Sequence, residues 1–216
     1  VLCTIFTTIA GVFTAKFKMH PFISTMANML VIFGLVTYST KGVSFGGIDS
    51  TIPTMIIPRL GKFPTIILWA AAAVIVVWFI WNKTTFGKNM FAVGGNEEAA
   101  AVSGVNVAKT IMLVYLIAGV LYGISAFLEA ARITSVGANT GLNYETDAIS
   151  ACVVGGVSFS GGVGTIQGVV IGAVVLQAIN YSLQFLGVNP YLQYIIRGLI
   201  IILAVSIDVR KYLVKK

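Results

Sequence analysis

Charge is what this chain has least of. Of its 216 residues only 10% are charged, with 7 Asp plus Glu, 2 Cys and 1 His. Soluble domains carry about 25% charged residues, so water is not the main solvent of this sequence. A hydrophobic share of 57% and a mean hydropathy of +0.95 exceed what one apolar core can absorb at this length, whereas a bilayer accommodates them. The lone His20 has no partners for a Ser-His-Asp or metal role and reads as an interfacial polar cap at a helix start. Cys3 and Cys152 lie in apolar stretches without spaced Cys or His pairs, which indicates packed free thiols rather than a disulfide framework or metal site. The net charge of +7 would suit nucleic acid, but the basic residues sit at the ends of apolar runs, as topology determinants do. No nucleic-acid partner is expected.

What the chain does have is apolar runs of spanning length, about 20 residues each. Phe22 to Tyr38, Thr65 to Trp81, Thr110 to Leu128, Thr165 to Leu186 and Tyr194 to Ile207 read as membrane helices, the last with Arg197 inside it. Val1 to Phe13 reads as the remnant of another, so the chain reads as a fragment lacking its N-terminal part. Pro21 suits a helix start, and Trp69, Trp78 and Trp81 suit interfacial anchors. Ser39 to Pro64 holds Gly42, Gly46, Gly47, Pro53, Pro58, Gly61 and Pro64 and reads as a structured loop. Asn82 to Lys109 and Glu129 to Asp147 read as polar connections. Ala148 to Phe159 is apolar but too short to cross as an ordinary helix, which suggests a half-helix or re-entrant segment surrounded by protein or a cavity.

Orientation follows from basic residues. With 82–109 in the cytoplasm, that side collects Lys16, Lys18, Lys83, Lys88, Lys109, Arg210, Lys211, Lys215 and Lys216, against Lys41, Arg59, Lys62 and Arg132 outside. This bias favours a cytoplasmic C-terminus. The fold class expected is all-α: a polytopic transmembrane helix bundle, a single domain over 1–216, with a short cytoplasmic coupling helix and a glycine-rich half-helix.

Polar groups inside apolar runs are costly and therefore suspect. Gln177, Asn180 and Gln184 share one helical face, which suits either the lining of a translocation path or a hydrogen-bonded seam between helices. Arg197 needs a partner; Asp208 is too far along the helix, and Glu145 or Asp147 could answer it. Gly155, Gly156, Gly161, Gly162 and Gly164 permit close helix approach and chain turns, either as pure packing or along a solute path. They are not a phosphate loop, because Gly162-Val163 stands where one needs Lys then Ser or Thr. ATP is therefore not expected to bind this chain.

The polar interval contains its own short helix. Asn96 is a good N-cap, Glu97 and Glu98 occupy the first turn where the helix dipole favours acids, and Ser103-Gly104 supplies a glycine stop. About two turns cannot stand alone in water. Its lack of basic residues argues against a lipid-surface helix, which leaves docking to a soluble partner.

Phe86-Gly87-Lys88, Ala92-Val93-Gly94-Gly95-Asn96, Ala99-Ala100 and Ser103-Gly104-Val105 resemble the coupling loop of ATP-binding-cassette (ABC) importer permeases of the ribose/galactose type. His20-Pro21-Phe22-Ile23, Cys152 through Thr165, Asn180-Tyr181, and Gly187-Val188-Asn189-Pro190-Tyr191 with Gln193 match the same family, as do Ala204-Val205 and Asp208 at the end of its last helix. The resemblance implies a non-enzymatic transport subunit in a bacterial inner membrane and a second copy of the permease. It also implies a separate ABC ATPase subunit carrying ATP and Mg, and a periplasmic or extracellular sugar-binding protein. It implies coupling through Asn96, Glu97, Glu98, Ala99, Ala100, Ser103, Gly104 and Val105, and a cargo of the galactose/methyl-galactoside class. Ribose, xylose or another small solute is the alternative, and a secondary transporter without an ATPase the more distant one.

Overall fold

A computed structural model describes residues 1–46, 57–60 and 63–213. Gly47, Pro53, Gly61, Lys62, Lys215 and Lys216, named above, lie outside the described residues. The helices are α1 (Leu2–Phe17), α2 (Pro21–Thr40), α3 (Ile66–Lys83), α4 (Thr85–Gly95), α5 (Glu97–Val102), α6 (Val107–Ile133), α7 (Tyr144–Val154), α8 (Ile166–Phe185) and α9 (Pro190–Leu213). The strands are two-residue pairs only: β1 (Phe45–Gly46) lies antiparallel to β4 (Ser135–Val136), and β2 (Arg59–Leu60) to β3 (Phe63–Pro64). Among the described residues α2, α3, α6 and α8 are long and apolar enough to cross a membrane. The all-α polytopic reading of the sequence holds.

Three expectations are corrected. The interval 82–109 is not a plain loop, because α3 runs through Lys83 and Thr85–Gly95 forms a further helix before α5. Its three glycines, Gly87, Gly94 and Gly95, disguise it, since glycine is the weakest helix former after proline. The connection 129–147 is likewise shorter than expected: α6 continues to Ile133, where the Glu129–Arg132 ion pair at 2.6 Å spans one turn, and α7 already starts at Tyr144. His20 does occupy the N-cap of α2, but its side chain makes no capping hydrogen bond; Pro21 at the first helical position needs none.

The chain divides into two compact units, Val1–Met90 with Ala100–Thr140, and Phe91–Ala99 with Gly141–Lys216. In the first, α1 packs on α6 and α2. Gly119 of α6 meets the backbone of α1 so closely that an added Cβ would stand 2.7 Å from Cα of Thr4. Around this contact polar groups join the helices. Ser24 donates to the carbonyl of Ala10 at 2.9 Å, Asn28 to that of Phe6 at 3.1 Å, and the hydroxyls of Thr14 and Tyr115 meet at 3.0 Å. Small residues and interhelical hydrogen bonds are what hold helices together where lipid removes the hydrophobic drive. In agreement, the buried hydrophobic residues are mostly alanines, while Leu68, Phe79, Ile171 and Val174 face outward.

In the second unit the half-helix α7 packs on α8 and α9. Gly155, at its end, lies against the carbonyl of Gly168, and a Cβ on Gly172 would stand 2.7 Å from the Gly155 amide nitrogen. The end of α7 closes on itself, with the Gly156 amide donating to Val153 and that of Val157 to Cys152, so its last carbonyls find partners without water. Thr165 then caps α8, accepting from the Gly168 amide at 3.1 Å.

Candidate functional site: the short helix α5 and the Asp147–Arg197 ion pair

Asn96 caps α5 as its sequence requires, its side-chain oxygen accepting from the Ala99 amide at 2.9 Å. The helix stops where the amide of Gly104 donates to Ala101 and that of Val105 to Ala100, with Gly104 at φ 84°. That left-handed conformation favours glycine over any residue bearing a Cβ. Of α5 only Ala100 is buried, at 4% exposure; Glu97, Glu98, Ala99, Ala101 and Val102 are exposed, Val102 at 91%. A six-residue helix with so little of itself packed presents nearly its whole surface outward.

One feature of this corner was not anticipated from sequence. The end of α4 meets the turn between α7 and α8 backbone to backbone. A Cβ on Gly94 would lie 2.8 Å from the amide nitrogen of Gly162, and one on Gly162 would lie 2.7 Å from Cα of Gly95. Gly161 and Gly162 both adopt left-handed φ, 89° and 70°, inside a turn that the Ser158 amide closes on the Val163 carbonyl at 3.0 Å. The available signal was the Gly94-Gly95 pair itself, which a helix terminus alone does not require. Gly164 packs beside the side chain of Val157.

The polar face expected on α8 is divided by its surroundings. Asn180 is buried at 6% exposure, whereas Gln177 and Gln184 are exposed. Asn180 is also the one that finds the arginine of α9: its side-chain oxygen accepts from Nε of Arg197 at 3.1 Å. Nη1 of Arg197 donates to both carboxylate oxygens of Asp147 at 2.8 and 3.1 Å, so of the two acids considered for Arg197 it is Asp147 that answers. The guanidinium stands 5.8 Å from the Tyr194 ring centroid. The cluster ties the first turn of α7 to both α8 and α9, and its charges cancel.

Residues 1–205 match the family described as branched-chain amino acid transport system / permease component, and the chain belongs to that family of multi-pass membrane proteins. It is similar to the galactose/methyl galactoside import permease protein MglC of Haemophilus influenzae, 51% identical over 213 residues, which cover 95% of this chain and 63% of the relative. The MglC of Escherichia coli is 50% identical over 215 residues, 96% of this chain and 64% of that protein. The ribose import permease protein RbsC of Bacillus subtilis is 36% identical over 204 residues, 93% and 63% respectively. The chain thus spans less than two thirds of the length of these relatives. No solved structure matches it.

Proposed function

We propose that this chain is the transmembrane permease subunit of an ABC importer that moves a monosaccharide of the galactose/methyl-galactoside class across a bacterial inner membrane. A separate ATPase subunit hydrolyses ATP and docks on α5; a second copy of the permease completes the path, and an external sugar-binding protein delivers the cargo. The C-terminus lies in the cytoplasm. The observation that carries the reading is α5 itself, a capped, almost wholly exposed helix with bare Val102 at 91% exposure, in a chain whose relatives at about 50% identity are named as import permeases. The residues assigned to docking are Asn96, Glu97, Glu98, Ala99, Ala100, Ser103, Gly104 and Val105.

The test is reconstitution of the full-length permease with its ATPase and sugar-binding protein in liposomes, followed by uptake of labelled galactose and of ribose. ATP-dependent galactose uptake that is lost in Gly104→Val, with membrane insertion unchanged, is the expected result. Uptake indifferent to ATP would replace the reading with a secondary transporter, and ribose uptake alone would reassign the cargo.

A further inference from the structure

Asp147, Asn180, Arg197 and Tyr194 are the charged, amide and aromatic groups that the second unit gathers at one point within its apolar helices. Arg197 is the eighth residue of α9 and Asn180 lies five residues before the end of α8. At about 1.5 Å per residue both sit roughly 8 to 10 Å inside their helices. Ile195, Ile196, Leu199 and Ile200 surround the arginine in sequence. Yet the pair is not sealed: the Asp147 side chain is 39% exposed and that of Arg197 19%, and Tyr194 is 54% exposed beside them. Turning a partly bare carboxylate toward hydrocarbon is costly, and intramembrane charges face a bundle interior or a water-filled cavity instead. The exposed side of Asp147 therefore faces a bundle interior or a water-filled cavity rather than lipid.

We infer that Asp147, Arg197 and Tyr194 form a contact site for a neutral polyhydroxylated solute on the transport path, an inference that rests on the sugar-importer reading above. The chemistry is suited to such a solute and poorly suited to an ion. Arg197 and Asp147 cancel each other's charge, so neither a cation nor an anion finds net attraction. Both oxygens of Asp147 already accept from Nη1, but an ionised carboxylate has acceptor capacity to spare, and Nη2 of Arg197 has no partner among the described residues. One hydroxyl of a sugar can donate to the carboxylate while its neighbour accepts from the guanidinium, and the Tyr194 ring offers an apolar face beside them. Asn180, buried and bonded to Nε, positions the guanidinium from behind.

Two measurements on the reconstituted transporter test this. In a cysteine-free background of the full-length permease, Cys3→Ala and Cys152→Ala included, Tyr194→Cys is exposed to a charged, membrane-impermeant thiol reagent applied from either side. Labelling that galactose turnover slows is expected; failure to label would place Tyr194 against lipid or a partner and overturn the inference. The second is the exchange Asp147→Arg with Arg197→Asp, which keeps an ion pair between α7 and α9 but relocates donors and acceptors. A solute contact predicts a transporter that inserts, retains its melting temperature and binds the ATPase, with uptake down by about tenfold or more, the worth of one charge-assisted hydrogen bond. Unchanged uptake would reduce the pair to a structural tie. If the unsubstituted protein itself moves no sugar, the functional reading fails and not the geometry of the site. Should the exchanged pair fail to insert, the labelling result decides alone.

Discussion

Gly94 and Gly162 touch through their backbones: a single methyl placed on Gly94 would stand 2.8 Å from the amide nitrogen of Gly162, closer than carbon and nitrogen pack. The neighbouring Gly95 has open space on its Cβ side. Two adjacent glycines on one helix end thus differ in whether they admit a side chain.

This difference makes a matched pair of substitutions. Gly94→Ala is expected to force α4 away from the 158–163 turn at a cost of about 1–3 kcal/mol, the range for overpacking. If the contact carries movement from the docking corner toward α7, uptake falls while the ATPase still co-purifies. Gly95→Ala should transport normally. Equal uptake in both variants, measured in proteoliposomes, would show that the contact is not needed for transport.

Asn96→Ala removes the acceptor of the Ala99 amide and should cost about 1 kcal/mol of local helix stability. Affinity for the ATPase subunit is expected to drop by about fivefold, which 1 kcal/mol implies, with Asn96→Asp retaining it. Equal affinity of the alanine variant in a titration would mean that α5 is ordered by its partner regardless of the cap.

Tyr115 and Thr14 give a hydrogen bond between α6 and α1 that can be measured directly. Tyr115→Phe, Thr14→Val and the double variant form a cycle, and coupling of about 0.6 kcal/mol, typical of interhelical bonds in membrane proteins, is expected in unfolding from mixed micelles. Additivity would show that the 3.0 Å approach contributes no net stability.

Gly119→Ala and Gly34→Ala make the same chemical change in two spanning helices. The first drives a methyl into the Thr4 backbone, whereas the second meets nothing within 4 Å. Gly119→Ala should lower the melting temperature, and Gly34→Ala should leave it unchanged or raise it through helix propensity.

Four of the five expected spans, now α2, α3, α6 and α8, were legible because length and hydropathy alone decide them in lipid, and α5 because its cap and its stop are local. Helix α4 was hidden for a tertiary reason: its Gly87 lies against the carbonyl of Trp81, and its Gly94 against the 158–163 turn, contacts that exist only once the chain has folded. Glu145 or Asp147 could be named as a partner for Arg197 from cost alone, since a guanidinium in an apolar run must be answered, but cost does not choose between the two. Periodicity placed Gln177, Asn180 and Gln184 on one face, but it carries no record of which neighbour covers that face. Only Asn180 lies where α9 brings an arginine.

The glycine contacts at 94, 119, 155 and 172 reverse the usual geography of mutational tolerance. In a water-soluble domain the bulky apolar positions are the strict ones and small residues drift. Here Leu68, Phe79, Ile171 and Val174 face outward and should exchange freely among aliphatic and aromatic types. The strictness falls on positions with no side chain at all, so a saturation scan would trace the path of backbone contacts through the protein.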